Sequence, residues 1–129
     1  MTKQTASAVL PLSSGKPLKL LTTAFRLCAE VLPSRITLRQ CLFISMVAYG
    51  HATNQRVSLR TIKTALGDSI GRSIEKSYFI FREPTKRAPD GMGWIEQVAD
   101  PDDMRQAYLR LTPVGVAALT PLLDTIAGL

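Results

Sequence analysis

Apolar residues recur at helical spacing in four runs, then at alternate positions in two short runs, then at helical spacing once more. Leu21, Phe25, Cys28 and Leu32 share one face of a first helix over about 17–32, which Pro33 and Ser34 end. A second helix is predicted over about 38–50. Thr37 and Gln40 have capping-box spacing, so the threonine can cap the helix and the glutamine can reach back. Leu38, Cys41, Leu42, Phe43, Ile44, Met46, Val47 and Tyr49 cover every face, which predicts a buried central post closed by Gly50. The polar run His51–Arg56 reads as a loop.

The third helix is predicted over about 59–66, with Ser58 as N-cap and Gly67 as the residue just past its end. Leu59, Ile62 and Leu66 face one way; Arg60, Lys63 and Thr64 face the other. The fourth is predicted over about 70–81, with Ile70, Ile74, Ser77, Tyr78 and Phe81 on one side and Arg72, Ser73, Glu75 and Lys76 outward. Two short helices joined by a Gly-containing turn have the form of a helix-turn-helix. They also fit two ordinary amphipathic helices with solvated charged faces. Pro84, Pro89, Asp90, Gly91 and Gly93 make 82–93 a loop. Strand-like alternation follows from Trp94 to Ala99 and from Ala107 to Leu111, with the DPDD run between them supplying a turn. Thr112 then caps a last helix over about 113–128, with Pro113 in its first position. Val116, Leu119, Leu123 and Ile126 form its apolar stripe. The predicted class is mainly α with a two-stranded β-wing: a flexible tail over 1–16, then one winged-helix domain over 17–129. The helix-turn-helix would cover about 58–81, the wing about 94–111 and the closing helix about 113–128.

Charge narrows the choice of partner. The chain has 129 residues, one domain's worth, and a formal net charge of +6. The segment 54–87 holds eight Lys or Arg against three Asp or Glu, so most of the excess charge lies in the two short helices and the loop after them. That clustering favours an anionic partner, nucleic acid before others. Cys28 and Cys41 lie in apolar runs and read as buried free thiols, which suits a cytoplasmic protein. No run approaches the ~20 apolar residues of a membrane span. The one histidine, His51, has no assignable catalytic partner, and the sequence shows no phosphate loop and no metal-spaced cluster. Neither an enzyme nor a cofactor is expected. Trp94 is expected to plug the core at the base of the wing.

Three stretches, "ITLRQCLFISMVAYG", "VSLRTIKTALG" and "GMGWIEQVADPDDMRQAYLRLTPVG", resemble the MarR family of winged-helix transcriptional regulators. The specific part is the order Asp103-x-Arg105, a strand, then Leu111-Thr112-x-x-Gly115. The pair Gly91 and Gly93, just ahead of the first wing strand, is similar to a short MarR-like subset. The likeness covers about residues 36–119. It implies a homodimer joined by the N- and C-terminal helices, with a recognition helix from each chain in the major groove of double-stranded DNA. It also leaves room for a small-molecule or redox effector between the dimer helices and the reading head, with Cys28 and Cys41 as candidates.

The resemblance assigns roles residue by residue. Ser69, Arg72, Ser73 and Lys76 lie on the first turns and outer face of the recognition helix, where side chains reach base edges. Arg72 is the candidate for a bidentate contact to guanine. Arg56, Arg60 and Lys63 would bind phosphate, joined by Lys86 and Arg87 in the basic loop. Arg105 would enter the minor groove, with Asp103 orienting its guanidinium; the same pair could instead only lock the hairpin tip. Relatives often carry further arginines beside Arg105, but here the neighbours are Met104 and Gln106. Asp100, Asp102 and Asp103 make the tip net acidic, which moves the expected DNA affinity to the recognition helix and the basic loop. The acidic wing also suits a different class, a winged-helix module for protein–protein contact.

Overall fold

The computed structural model describes residues 9–34, 36–71, 74–84, 86 and 91–128, with the side chains of 68–71 and 75 outside that description. Among these residues the chain forms five α-helices and one two-stranded antiparallel sheet, compatible with a winged helix. The helices are α1 (Gly15–Val31), α2 (Leu38–Ala52), α3 (Leu59–Gly71), α4 (Ile74–Phe81) and α5 (Pro113–Ala127); the strands are β1 (Ile95–Ala99) and β2 (Ala107–Leu111). Where one domain is expected over 17–129, the chain divides into two compact units. One comprises the residues up to Ser34 with those from Leu122 onward; the other runs from 35 to Pro121.

In the first unit, a 3-10 turn over Leu12–Ser14 leads into α1, so helix begins inside the expected tail, whose residues 1–8 lie outside the described residues. No residue of α1 is buried. Leu21 and Phe25, on its apolar face, are 50% and 51% exposed. Among the described residues nothing covers the Leu21 and Phe25 part of this stripe, while Leu32 at its end is buried.

The second unit holds the core. The capping box of α2 forms as predicted: the Gln40 N–H donates to Thr37 Oγ1 (3.1 Å) and the Thr37 N–H to Gln40 Oε1 (2.9 Å). Contrary to the expected all-round burial, α2 buries only the face of Phe43, Ile44, Val47 and Gly50, while Leu38, Leu42 and Tyr49 are exposed. Gly50 does not end the helix. It packs against Val57, and helix continues through His51 and Ala52 of the expected loop. The turn closes at Thr53, whose N–H and hydroxyl both donate to the Tyr49 carbonyl (3.0 and 2.7 Å).

Ser58 caps α3, its Oγ accepting from the Thr61 N–H (3.0 Å). The helix breaks at Gly67, whose φ of +78° is left-handed; helix resumes over residues 68–71, and α4 is described from Ile74, residues 72 and 73 lying outside the described residues. On α4, Ile74, Ser77, Tyr78 and Phe81 are buried as the spacing predicts. Phe81 stacks between Phe43 (ring centroids 6.1 Å apart) and Trp94 (5.7 Å), which places Trp94 in the core as a plug.

The hairpin is tied to both helical layers. Ile95 pairs with Leu111, Gln97 with Leu109 and Ala99 with Ala107. Leu109 also donates to the Val57 carbonyl (2.7 Å), so a single residue before α3 forms a third rung on the edge of the sheet. The Met92, Gly93 and Trp94 N–H groups donate to the carbonyls of Ile80, Arg82 and Phe81 (3.0, 2.9 and 2.7 Å), satisfying the open end of α4. Gly91 permits this approach, since a Cβ there would meet the Arg82 and Glu83 backbone.

The Leu-Thr-x-x-Gly run has a structural role. The Thr112 N–H donates to the Trp94 carbonyl (2.9 Å), and its hydroxyl donates to Gly93 O (2.5 Å) and accepts from the Gly115 N–H (3.2 Å). Gly115 sits directly on the Trp94 backbone. This docking sets the rotation of α5. Its buried face is Gly115, Leu119 and Leu122, whereas Val116, Leu123 and Ile126 of the expected stripe are exposed. Of that stripe only Leu119 is inside.

Candidate nucleic-acid interface

Beside the first turn of α3 lie two shallow adjoining clefts of mixed polar and apolar lining, with Leu59, Ala65 and Ala107 among their walls. Ser58, Arg60, Thr61 and Thr64 line them from the helix, and Gln97 and Gln106 from the hairpin. Arg56 and Ser58 flank the buried Val57, and Arg56 lines a separate cleft with His51, Tyr108 and Arg110. Arg60 is exposed and Lys63 half-buried on α3, and Lys76 is exposed on α4. Lys86 is exposed in the loop after α4. Hydroxyls, amides and cations in this order can hydrogen-bond phosphate oxygens. The sequence pattern marks the cations of this surface. It does not mark Thr61, Thr64 or Gln106, because polar residues at a helix start and a hairpin end are common everywhere.

The side chain of Ser69, and Arg72, Ser73 and Arg87 entirely, lie outside the described residues. Arg105 stands at the hairpin tip with its side chain 92% exposed. Asp103 orients it: Asp103 Oδ1 accepts from the Arg105 N–H (3.1 Å) and from Nε (3.4 Å). The same aspartate's backbone N–H and carbonyl bond Asp100 O (3.3 Å) and the Gln106 N–H (3.0 Å), so it also shapes the turn. The two readings of the pair therefore meet in one residue.

Arg56 is held by two carboxylates. Its Nη1 donates to Asp100 Oδ1 (2.8 Å) and to Asp102 Oδ2. The Asp102 hydrogen bond, followed by the charges of Asp100 and Asp102, raises the guanidinium pKa further above its ordinary value. The phosphate role expected of Arg56 thus meets two carboxylates already in place. Arg82 is likewise paired, with Glu83 (2.8 Å), and its guanidinium lies 5.0 Å from the centre of the Tyr78 ring. The Arg82 hydrogen bond holds the Glu83 carboxyl below its ordinary range. Across the hairpin, Arg110 faces Glu96 (3.5 Å).

His51 sits on the last turn of α2, where its Nδ1 accepts from the Leu111 N–H (3.3 Å). That requires the proton on Nε2 and ties α2 to the end of β2. Among the described residues no His, Cys, Asp and Glu gather to hold a metal ion, and no helix is long and apolar enough to cross a membrane.

The sequence matches no family model, and no curated protein or solved structure matches it. The resemblance to the MarR family rests on its motif residues alone.

Proposed function

We propose that this protein is a sequence-specific double-stranded DNA-binding transcriptional regulator that acts as a homodimer with a winged-helix fold. The observation that carries the reading is the exposed Arg60 and neighbouring hydroxyls and amides on the clefts beside α3, in the same unit as the helix pair α3–α4 and a hairpin presenting Arg105. In this reading α4 and the turn before it enter the major groove, α3 lies across the phosphate backbone, and the β1–β2 hairpin runs beside the minor groove. The uncovered apolar face of α1 and the outer face of α5 (Val116, Leu123, Ile126) meet their counterparts in a second copy. No catalytic or cofactor chemistry is part of the proposal.

The test is duplex binding by fluorescence anisotropy, first with random DNA and then with the region upstream of the protein's own gene. Arg60→Ala and Lys76→Ala should each weaken binding and lower the slope of log affinity against log salt by about 1.8, about 0.9 for each protomer. Variants that bind as the wild type does, at every salt concentration, would remove the clefts and α4 from the interface.

A second reading has its own observation. The hairpin turn carries three aspartates, of which Asp102 is exposed, and two of them neutralise Arg56, which suits an adaptor or antagonist that contacts proteins instead of DNA. Absence of binding to both duplexes at low salt would favour it.

A further inference from the structure

The acidic turn of the hairpin holds a cation that the DNA-binding surface has a use for. Arg56 is fixed at its backbone: the Gln55 N–H donates to Gly50 O (2.8 Å), and the Val57 carbonyl accepts from Leu109. Its guanidinium reaches out from that anchor to the two carboxylates, with 43% of the side chain exposed. The two carboxylates that hold it are unequal. Asp100 is 17% exposed and is built into the turn, its Oδ1 also accepting from the Asp102 N–H (2.9 Å) and its own N–H donating to Gln106 O (3.1 Å). Asp102 is 80% exposed, and its carboxylate has Arg56 as the one partner the structure gives it. The planar fork of a guanidinium fits a carboxylate and a phosphate equally well. Arg56 lies two residues before Ser58, which lines the clefts beside α3.

We propose that Asp102 is an intramolecular phosphate mimic. It occupies Arg56 in the free protein and competes with DNA phosphate for it, so the acidic wing tip lowers affinity by withholding one arginine. Asp100 is the fixed arm of the clasp and Asp102 the arm that lets go. This inference rests on the DNA-binding reading and extends it: the hairpin restrains the interface as well as contributing Arg105 to it.

The experiment is a double-mutant cycle by fluorescence anisotropy with one labelled duplex across a salt series, using the full chain. The proteins are the wild type, Asp102→Asn, Arg56→Ala and the double variant. Asp102→Asn should bind tighter at low salt by about fivefold for each protomer, the upper range for one exposed charge pair, with a slope steeper by about 1.8 for the two protomers. Arg56→Ala alone should change affinity by less than about twofold, because the phosphate contact it removes only replaces an existing pair. In the Arg56→Ala background the Asp102→Asn gain should vanish. Matched melting curves show that each variant is folded. A wild type that binds and an Asp102→Asn that binds no tighter would overturn the clasp and leave the DNA-binding reading standing. A gain of the same size with and without Arg56 would also overturn it, as a general charge effect. If neither the wild type nor Asp102→Asn binds any duplex, the DNA-binding reading fails and the clasp with it.

Discussion

Replacing Gly115 by alanine places a methyl carbon 3.0 Å from the Trp94 carbonyl carbon, 3.1 Å from its Cα, and closer still to its oxygen. The obstacle is backbone, so no side chain can swing aside, and α5 must lift from the hairpin base. Overpacking of this kind costs about 1–3 kcal/mol. Lifting also stretches the Thr112 N–H bond to Trp94 O (2.9 Å) and the Thr112 hydroxyl bond to Gly93 O (2.5 Å). Each is worth about 1 kcal/mol net. Alanine's higher helix propensity returns about 1 kcal/mol. The balance is a loss of about 3 kcal/mol, or a melting temperature lower by about 11 °C for a chain of this length. Thermal and urea denaturation followed by circular dichroism would measure it, with Trp94 fluorescence reporting on the junction itself. Gly67→Ala is the comparison: its φ of +78° is left-handed but its surroundings are open. That variant should lose only about 1 kcal/mol, through backbone strain. A Gly115→Ala protein melting at or above the wild-type temperature would refute the docking of α5 on Trp94.

Other expectations follow from the same geometry. Thr37→Ala removes one half of the α2 capping box and should cost about 1 kcal/mol in urea denaturation; an unchanged midpoint would mean the cap contributes nothing. Burial raises the Tyr78 phenol above its ordinary 10, against an opposing pull from Arg82. A raised folded pKa leaves stability intact below the unfolded value and removes it as pH rises through the folded one, because the unfolded chain ionises first. Tyr78→Phe should therefore flatten the loss of stability between about pH 9 and about pH 11, and superimposable alkaline limbs would contradict this. Phe25→Glu puts a charge on the uncovered face of α1 and should convert a dimer to a monomer in sedimentation equilibrium, while melting still reports a folded chain. A wild type that sediments as a monomer at every concentration would remove the dimer.

Local signals were legible in the sequence, and long-range ones were not. The capping box at Thr37 and Gln40, the N-caps at Ser58 and Thr112, and both strands depend on residues a few positions apart, and all stand where the pattern predicts. Which face of a helix is buried depends on what it docks against. On α5 the contact of Gly115 with Trp94 turns Leu122 inward and Leu123 outward, one residue away from the expected stripe. On α2 nothing in its own composition distinguishes Phe43 and Val47 from Leu38 and Leu42. The partners of Arg56 lie 44 and 46 residues away on the hairpin turn, so the sequence showed the charges and not their pairing. His51 likewise looked like a loop residue, because its partner is a backbone N–H in β2.

The acid run at the hairpin tip acquires a division of labour. Asp103 organises Arg105, while Asp100 and Asp102 hold Arg56. One cation is presented and one withheld, which accounts for an acidic turn on a basic chain more fully than a turn preference alone.

The central claim is that the surface built around α3, α4 and the hairpin binds duplex DNA. The most direct measurement is the salt dependence of wild-type affinity for a duplex from its own upstream region. Contacts from Arg60, Lys76, Lys86 and Arg105 in each of two protomers would give a slope of log affinity against log salt near −7, at about 0.9 per phosphate. No binding at low salt, or an affinity indifferent to salt, would contradict the claim.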